Sequence, residues 1–145
     1  MLSVIVDARA GAQKLPALLA QLTAGAVDGV VREVLIVADP REAGVEALCE
    51  DMGAEAAPTL AAAATAAKSD PVLVLPADFR WRDGWIGALN QHMAAGGGPA
   101  LVQGLAEGGL FRRPPAGVLV ERGRLQGADL DRLRRDLRLR RRRIG

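Results

Sequence analysis

The chain has 145 residues, the size of one ordinary domain, and half of them are hydrophobic, which suffices for a real core at this length. Aromatics make up only 3%, so Leu, Val, Ile and Ala must fill that core. No apolar run approaches the ~18–20 residues of a membrane span, and the first residues lack the basic segment and cleavage site of a signal peptide. A single cysteine, Cys49, excludes an internal disulfide framework, and with one histidine it leaves no set for a zinc site or Cys/His catalysis. A cytoplasmic location is the default, and Cys49, on an apolar helical stripe, reads as a buried, inert thiol.

The net charge of +2 hides an uneven distribution. Residues 132–145 carry eight arginines against one aspartate, whereas the rest of the chain holds 11 basic and 16 acidic residues. An acidic body therefore carries a basic C-terminal segment.

Leu2–Val6 is an apolar run, broken only by Ser3 and rich in β-branched residues, as in a buried parallel strand. Leu15, Leu18, Leu19 and Leu22 follow at helical spacing, with Pro16 in the first turn, and Gly25 and Gly29 bracket the loop beyond. Val34–Val37 is a second strand, ended by Pro40. Val45, Leu48, Cys49 and Met52 repeat the helical stripe, with Gly53 as its C-cap. Ala54–Ala57 is a short third strand, and Thr59 caps an alanine-rich helix through Ala67. Pro71 opens a strand at Val72–Leu75, and Asp83 is placed to cap a helix carrying Trp85, Ile86, Leu89 and Met93. Gly96–Pro99 is a flexible break. Beyond it come short strands near Ala100–Val102 and Val118–Glu121, then a helix from about Asp129 with Leu130, Leu133 and Leu137 on one side. No internal repeat is visible.

Alternation of strand and helix through the first 95 residues means βαβ crossovers. The fold expected is therefore a three-layer α/β/α domain with a mostly parallel central sheet. Ligands of such sheets sit outside the carboxyl ends of the strands, near the switch in strand order. Asp7, Asp39 and Asp78 each follow an apolar run directly or within a few residues, so all three should face that one rim. Carboxylates there can hold a divalent ion, accept hydrogen bonds from a ribose or base, or deprotonate a hydroxyl. The competing explanation is that Asp is common after strands as a turn former or cap. No G-x-G-x-x-G follows the first strand and no P-loop is present, which argues against dinucleotide-linked oxidoreduction.

Several stretches resemble family 2 glycosyltransferases, which have the GT-A nucleotide-sugar fold. Ser3-Val4-Ile5-Val6-Asp7-Ala8-Arg9, followed by Leu15-Pro16-Ala17-Leu18-Leu19, is similar to their opening, where a strand ends in Pro-Ala-Arg-Asn-Glu before an L-P-x-L-L helix. Arg32–Asp39 is similar to their second strand, which ends in paired aspartates. Val72–Asp78 with Gly84-Trp85 resembles the strand of the D-x-D signature and the helix after it. Gly117–Arg122 and Ala128-Asp129 resemble a late strand and the Glu-Asp motif of the catalytic base. The chain departs from the pattern in each signature, and each keeps one carboxylate. Asp7 stands for proline, Ala10 for asparagine, Ala38 and Pro76 for the first carboxylates of their pairs, and Ala128 for glutamate.

The resemblance implies a single GT-A-like domain over residues 1–145. Residues 1–95 would be the nucleotide-binding half, 96–131 the acceptor-side segment and 132–145 an Arg-rich tail. It implies donor binding by Asp7, Arg9, Asp39 and Asp78, with Asp78 as the remaining carboxylate for Mg²⁺ or Mn²⁺. It makes Asp129 the base in an inverting transfer from a nucleotide-sugar to an acceptor hydroxyl. Two other readings stay open. One is a GT-A-like binding or scaffold module that has lost turnover. The other is a nucleotidyltransferase of related fold, for which Arg9–Lys14 fits an R-x-G-x-x-K loop. The Arg-rich tail reads as a solvated helix end, or as a contact to an anionic membrane surface and a lipid-linked acceptor. Scarce aromatics argue against nucleic acid.

Overall fold

The computed structural model describes residues 1–9, 13–39, 41–42, 44–106, 115–127, 129–139 and 143–144, without the side chain of Leu139. Ala10, Pro40, Ala128 and the 140–142 arginines thus lie outside the described residues. The elements run β1 (Leu2–Asp7), α1 (Leu15–Val27), β2 (Val31–Val37), α2 (Val45–Met52), β3 (Glu55–Ala57), α3 (Leu60–Ala66), β4 (Val72–Pro76), α4 (Trp85–Ala94), β5 (Ala100–Gln103), β6 (Ala116–Val120), α5 (Leu130–Leu139) and β7 (Arg143–Ile144). A 3-10 turn at Arg122–Leu125 precedes α5.

The strands form one sheet in the order β3-β2-β1-β4-β6-β5-β7. β3, β2, β1 and β4 are mutually parallel, β6 is antiparallel to both neighbours, and β7 adds in parallel to β5. The chain moves from β1 outward to β3 and then crosses back to lay β4 on the other side of β1. The switch in strand order therefore falls between β1 and β4.

The two-residue period of the strands divides the core. Val4, Val6, Leu73 and Leu75 face one layer with Leu15, Leu18, Val45 and Leu89 of α1, α2 and α4. Ile5, Leu35, Val72 and Val74 face the other with Leu60, Leu133 and Leu137 of α3 and α5. Both layers are aliphatic and fully buried in their strands, as the apolar runs require, and each such side chain contributes ~1.5–3 kcal/mol by leaving water. The three-layer architecture expected from the sequence is the one observed.

Local signals held at several ends. The Thr59 hydroxyl accepts the Ala62 N–H at 3.0 Å, and Gly53 closes α2 with φ of 69°. Cys49 is buried, and burial, with the nearby charge of Glu46, raises its thiol pKa. Other ends moved. Gly25 belongs to α1 rather than to the loop after it. Gly84, with φ of 81°, takes the N-cap of α4 in place of Asp83. β2 starts at Val31, where it pairs with Leu2. The arginine-rich segment is built into the domain: α5 buries Leu133 and Leu137 against the sheet, and Ile144 is only 6% exposed in the core beside β5.

Candidate functional site

The parallel register places the three aspartates. Asp7 ends β1 level with Val37 of β2 on one side and Pro76 of β4 on the other. Asp39 and Asp78 each lie two residues beyond those partners. Strands ~4.8 Å apart thus carry Asp39, Asp7 and Asp78 across one carboxyl edge, next to the topological switch.

Asp7 and Arg9 form a two-pronged ion pair. Arg9 Nε donates to Oδ1 at 2.9 Å and Nη2 to Oδ2 at 2.8 Å, while the Arg9 backbone N–H also reaches Oδ1 at 3.2 Å. Burial alone would push the Asp7 carboxyl up. The hydrogen bonds and charge of Arg9, together with the charge of Arg134, outweigh it and hold the pKa below its ordinary value. The Asp7 hydrogen bond raises the Arg9 pKa against a burial effect, and the charges of Asp7 and Asp129 add to the rise. The end of β1 and the start of α5 are therefore electrostatic neighbours.

Asp129 caps α5. Its Oδ1 accepts the Arg132 N–H at 2.7 Å and its carbonyl the Leu133 N–H at 3.2 Å. One turn on, Arg134 donates Nε to the Ala116 carbonyl at 2.7 Å and Nη1 to Asp131 at 3.0 Å, tying α5 to the start of β6. Across the rim, Arg80 Nη2 donates to the Lys14 carbonyl at 2.9 Å and joins the exit of β4 to the start of α1.

Asp39 lies in a cleft of about 450 Å³ between the ends of β2 and β3 and the start of α2. Arg41, Glu42 and Glu46 supply its other charged side chains, and Ala38, Ala57 and Pro58 part of its apolar wall. The Arg41 N–H bonds Asp39 Oδ1 at 2.9 Å and orients the carboxylate. The volume is of the order that takes a small organic group.

Asp78 is exposed and has no hydrogen-bond or ion-pair partner among the described residues. Pro76 stands where a second carboxylate would help it hold a divalent ion, and Asp7 is engaged by Arg9. Among the described residues no group of three or more His, Cys, Asp or Glu side chains is placed to hold a metal. This donor set does not fit a divalent ion held chiefly by the protein.

Asp7, Arg9, Asp39 and Asp78 thus share one edge, and Asp129 approaches it from α5. The cleft residues Arg41, Glu42 and Glu46 were not legible in the sequence, although all three lie within seven residues of Asp39. Nor was Arg134, because only the α5–β6 packing turns it toward Asp7.

No family model and no curated protein matches the sequence. Solved structures do. The mannosyl-3-phosphoglycerate synthase of Rubrobacter xylanophilus matches with a TM-score of 0.55 at 16% identity, over 71% of this chain and 39% of that one. The glucosyl-3-phosphoglycerate synthase of Mycobacterium tuberculosis, in complex with Mn²⁺, UDP and glucosyl-3-phosphoglycerate, matches with a TM-score of 0.58 at 16% identity, over 85% of this chain and 57% of that one. Its complex with UDP matches at 0.59 with the same identity and coverage. The likeness is one of fold: the chain has the GT-A type of α/β domain and spans 39–57% of the length of these structures.

Proposed function

We propose that the chain is a family 2-like glycosyltransferase that takes a nucleotide-sugar at the edge formed by β2, β1 and β4. The observation that carries this reading is the alignment of Asp39, Asp7 and Asp78 on three adjacent parallel strands, in a fold shared with sugar-transferring synthases solved with UDP. The Asp39 cleft takes the nucleoside, with the carboxylate accepting hydrogen bonds from the ribose or the base. The diphosphate lies toward β1. There Arg9, held by Asp7 through Nε and Nη2, has its Nη1 side free of protein partners among the described residues and suited to a phosphate.

Asp129 takes the proton of the acceptor hydroxyl. The oxygen attacks the sugar carbon opposite the leaving group, the bond from that carbon to the phosphate oxygen breaks, and the nucleoside diphosphate leaves with the electron pair. The result is inversion. Asp78 would meet a divalent ion only if the donor's phosphates carried it in. The same reading puts the protein in the cytoplasm, peripheral to the inner face of the membrane. Among the described residues no helix is long and apolar enough to cross it.

Calorimetric titration with UDP, GDP and their sugars is the test. Micromolar to millimolar binding to at least one of them is expected, and no binding to any overturns the donor site. A binding module without turnover is the second reading, favoured by the single carboxylate left in each signature. It predicts donor binding with no transfer to any acceptor in a broad panel. Pyrophosphate release from a nucleoside triphosphate would instead mark a nucleotidyltransferase.

A further inference from the structure

We infer that the outer face of α5 is a docking surface for an anionic lipid bilayer. Helix α5 has two unlike sides. Leu130, Leu133 and Leu137 are buried against the sheet, so its apolar side is already spent inside the domain. The opposite side carries Arg132, Arg135 and Arg138, all exposed, three residues apart along the helix. At 1.5 Å rise per residue they span about 9 Å of helix, so the three guanidinium groups face one small patch of a surface together.

The division of partners along α5 points the same way. Its charged residues with contacts to the rest of the domain lie at the flanks: Arg134 donates to the Ala116 carbonyl, and Asp136 pairs with Arg124 at 3.6 Å. Arg132, Arg135 and Arg138 have no side-chain hydrogen bond or ion pair among the described residues. An ordinary solvated helix mixes signs on its outer face. Here Asp131 is the acidic residue on that side, and it is paired with Arg134. The surrounding sequence concentrates the charge further, since residues 132–145 are net +7 in a chain whose remainder is net −5. A negative surface therefore attracts the exposed arginines of α5 and repels the acidic remainder of the chain.

A bilayer suits this surface better than a nucleic acid. The face is one straight helix side, without the aromatic side chains that stack bases. Because the leucines of α5 are already buried, attachment is electrostatic and does not require insertion. Asp129 caps the same helix, so a domain docked by α5 holds the rim beside the headgroups, open along the membrane plane. That consequence rests on the donor-site reading, whereas the docking does not.

The test is flotation of the full chain with vesicles of equal parts phosphatidylglycerol and phosphatidylcholine, against vesicles of phosphatidylcholine alone, at ~50 and ~500 mM salt. Binding is expected to the anionic vesicles only and to fall steeply with salt. Each exposed arginine changes partitioning by about fivefold, so the variant Arg132→Gln/Arg135→Gln/Arg138→Gln should lose roughly a hundredfold while keeping its thermal midpoint and its UDP affinity. The inference is overturned by no binding to anionic vesicles, by equal binding to neutral ones, by an unaffected triple variant, or by tighter binding to duplex DNA than to the vesicles. Failure of UDP binding with retained flotation would sink the donor reading and leave the docking intact.

Discussion

The Trp85 indole of α4 lies directly on Gly25 of α1: a Cβ at that glycine would sit 2.5 Å from the ring and 2.8 Å from Val31. Gly25 is therefore kept in the last turn of α1, although glycine is intrinsically poor in a helix, because the tryptophan fills the space of its side chain. Trp85 in turn stacks on Trp81 with ring centroids 4.2 Å apart and planes 18° from parallel, and Phe79 meets Trp81 edge-on at 4.9 Å. The segment leaving β4 is anchored by this contact. Gly25→Ala should cost about 1–3 kcal/mol through overpacking, despite the better helix propensity of alanine. Urea denaturation should register it as a lower midpoint at unchanged slope. Equal or greater stability would mean that the α1–α4 contact is loose.

The Gly25 contact also marks where the sequence is legible. Elements whose signal is local could be read: the apolar runs of β1, β2 and β4, the Thr59 cap, the Gly53 C-cap. The three aspartates could be assigned to one edge because parallel strands all end on the same side. Features decided by distant partners could not. Gly25 looks like a loop glycine until Trp85, 60 residues later, is packed on it. Asp83 looks like a cap, but the turn into α4 needs a positive φ that Gly84 supplies without strain. The helix face of Leu130, Leu133 and Leu137 could be read, but the arginines after it look like a solvated tail because Ile144, alone among charges, gives no periodic signal. The role of Ile144 appears only once β5 offers it an edge to pair with. The Asp39 cleft is a matter of volume between β2, β3 and α2, which no one-dimensional pattern carries.

Asp39→Ala should weaken nucleotide binding by about 10–100-fold, the range for losing a hydrogen bond to a charged group. The side chain is exposed, and its fold contact is the Arg41 N–H, so stability should change little. Titration of UDP into the variant and the parent, with melting curves alongside, measures both. Unchanged affinity would move the nucleoside out of the Asp39 cleft.

The Asp7–Arg9 pair makes a pH-dependent contribution of definite sign. The folded pKa of Asp7 lies below the ordinary 3.8, so its stabilisation is complete above that value and is lost as pH falls through the folded pKa. Arg9 stays charged throughout. With the Arg9 side chain 46% exposed, water screens the pair and the effect should stay below about 1 kcal/mol. The parent should exceed Asp7→Asn in stability by a constant amount from about pH 5 to 8, and the gap should close below about pH 4. Denaturant curves across that range measure it. A gap that persists at pH 2 would assign the effect to packing rather than charge.

Asp129 has two roles to separate, since it caps α5 in the structure and acts as base in the proposed reaction. Asparagine caps a helix about as well as aspartate, whereas alanine costs ~1 kcal/mol. Asp129→Asn should therefore keep the denaturation midpoint and lose transfer by at least 10²-fold, because the amide cannot take the hydroxyl proton. Asp129→Ala should lose both. UDP affinity should survive in the asparagine variant, because the base acts on the acceptor and not on the nucleotide. If Asp129→Asn transferred sugar at the parental rate, Asp129 would be a cap alone, and the base would have to be sought among the other carboxylates of the rim, beginning with exposed Asp78.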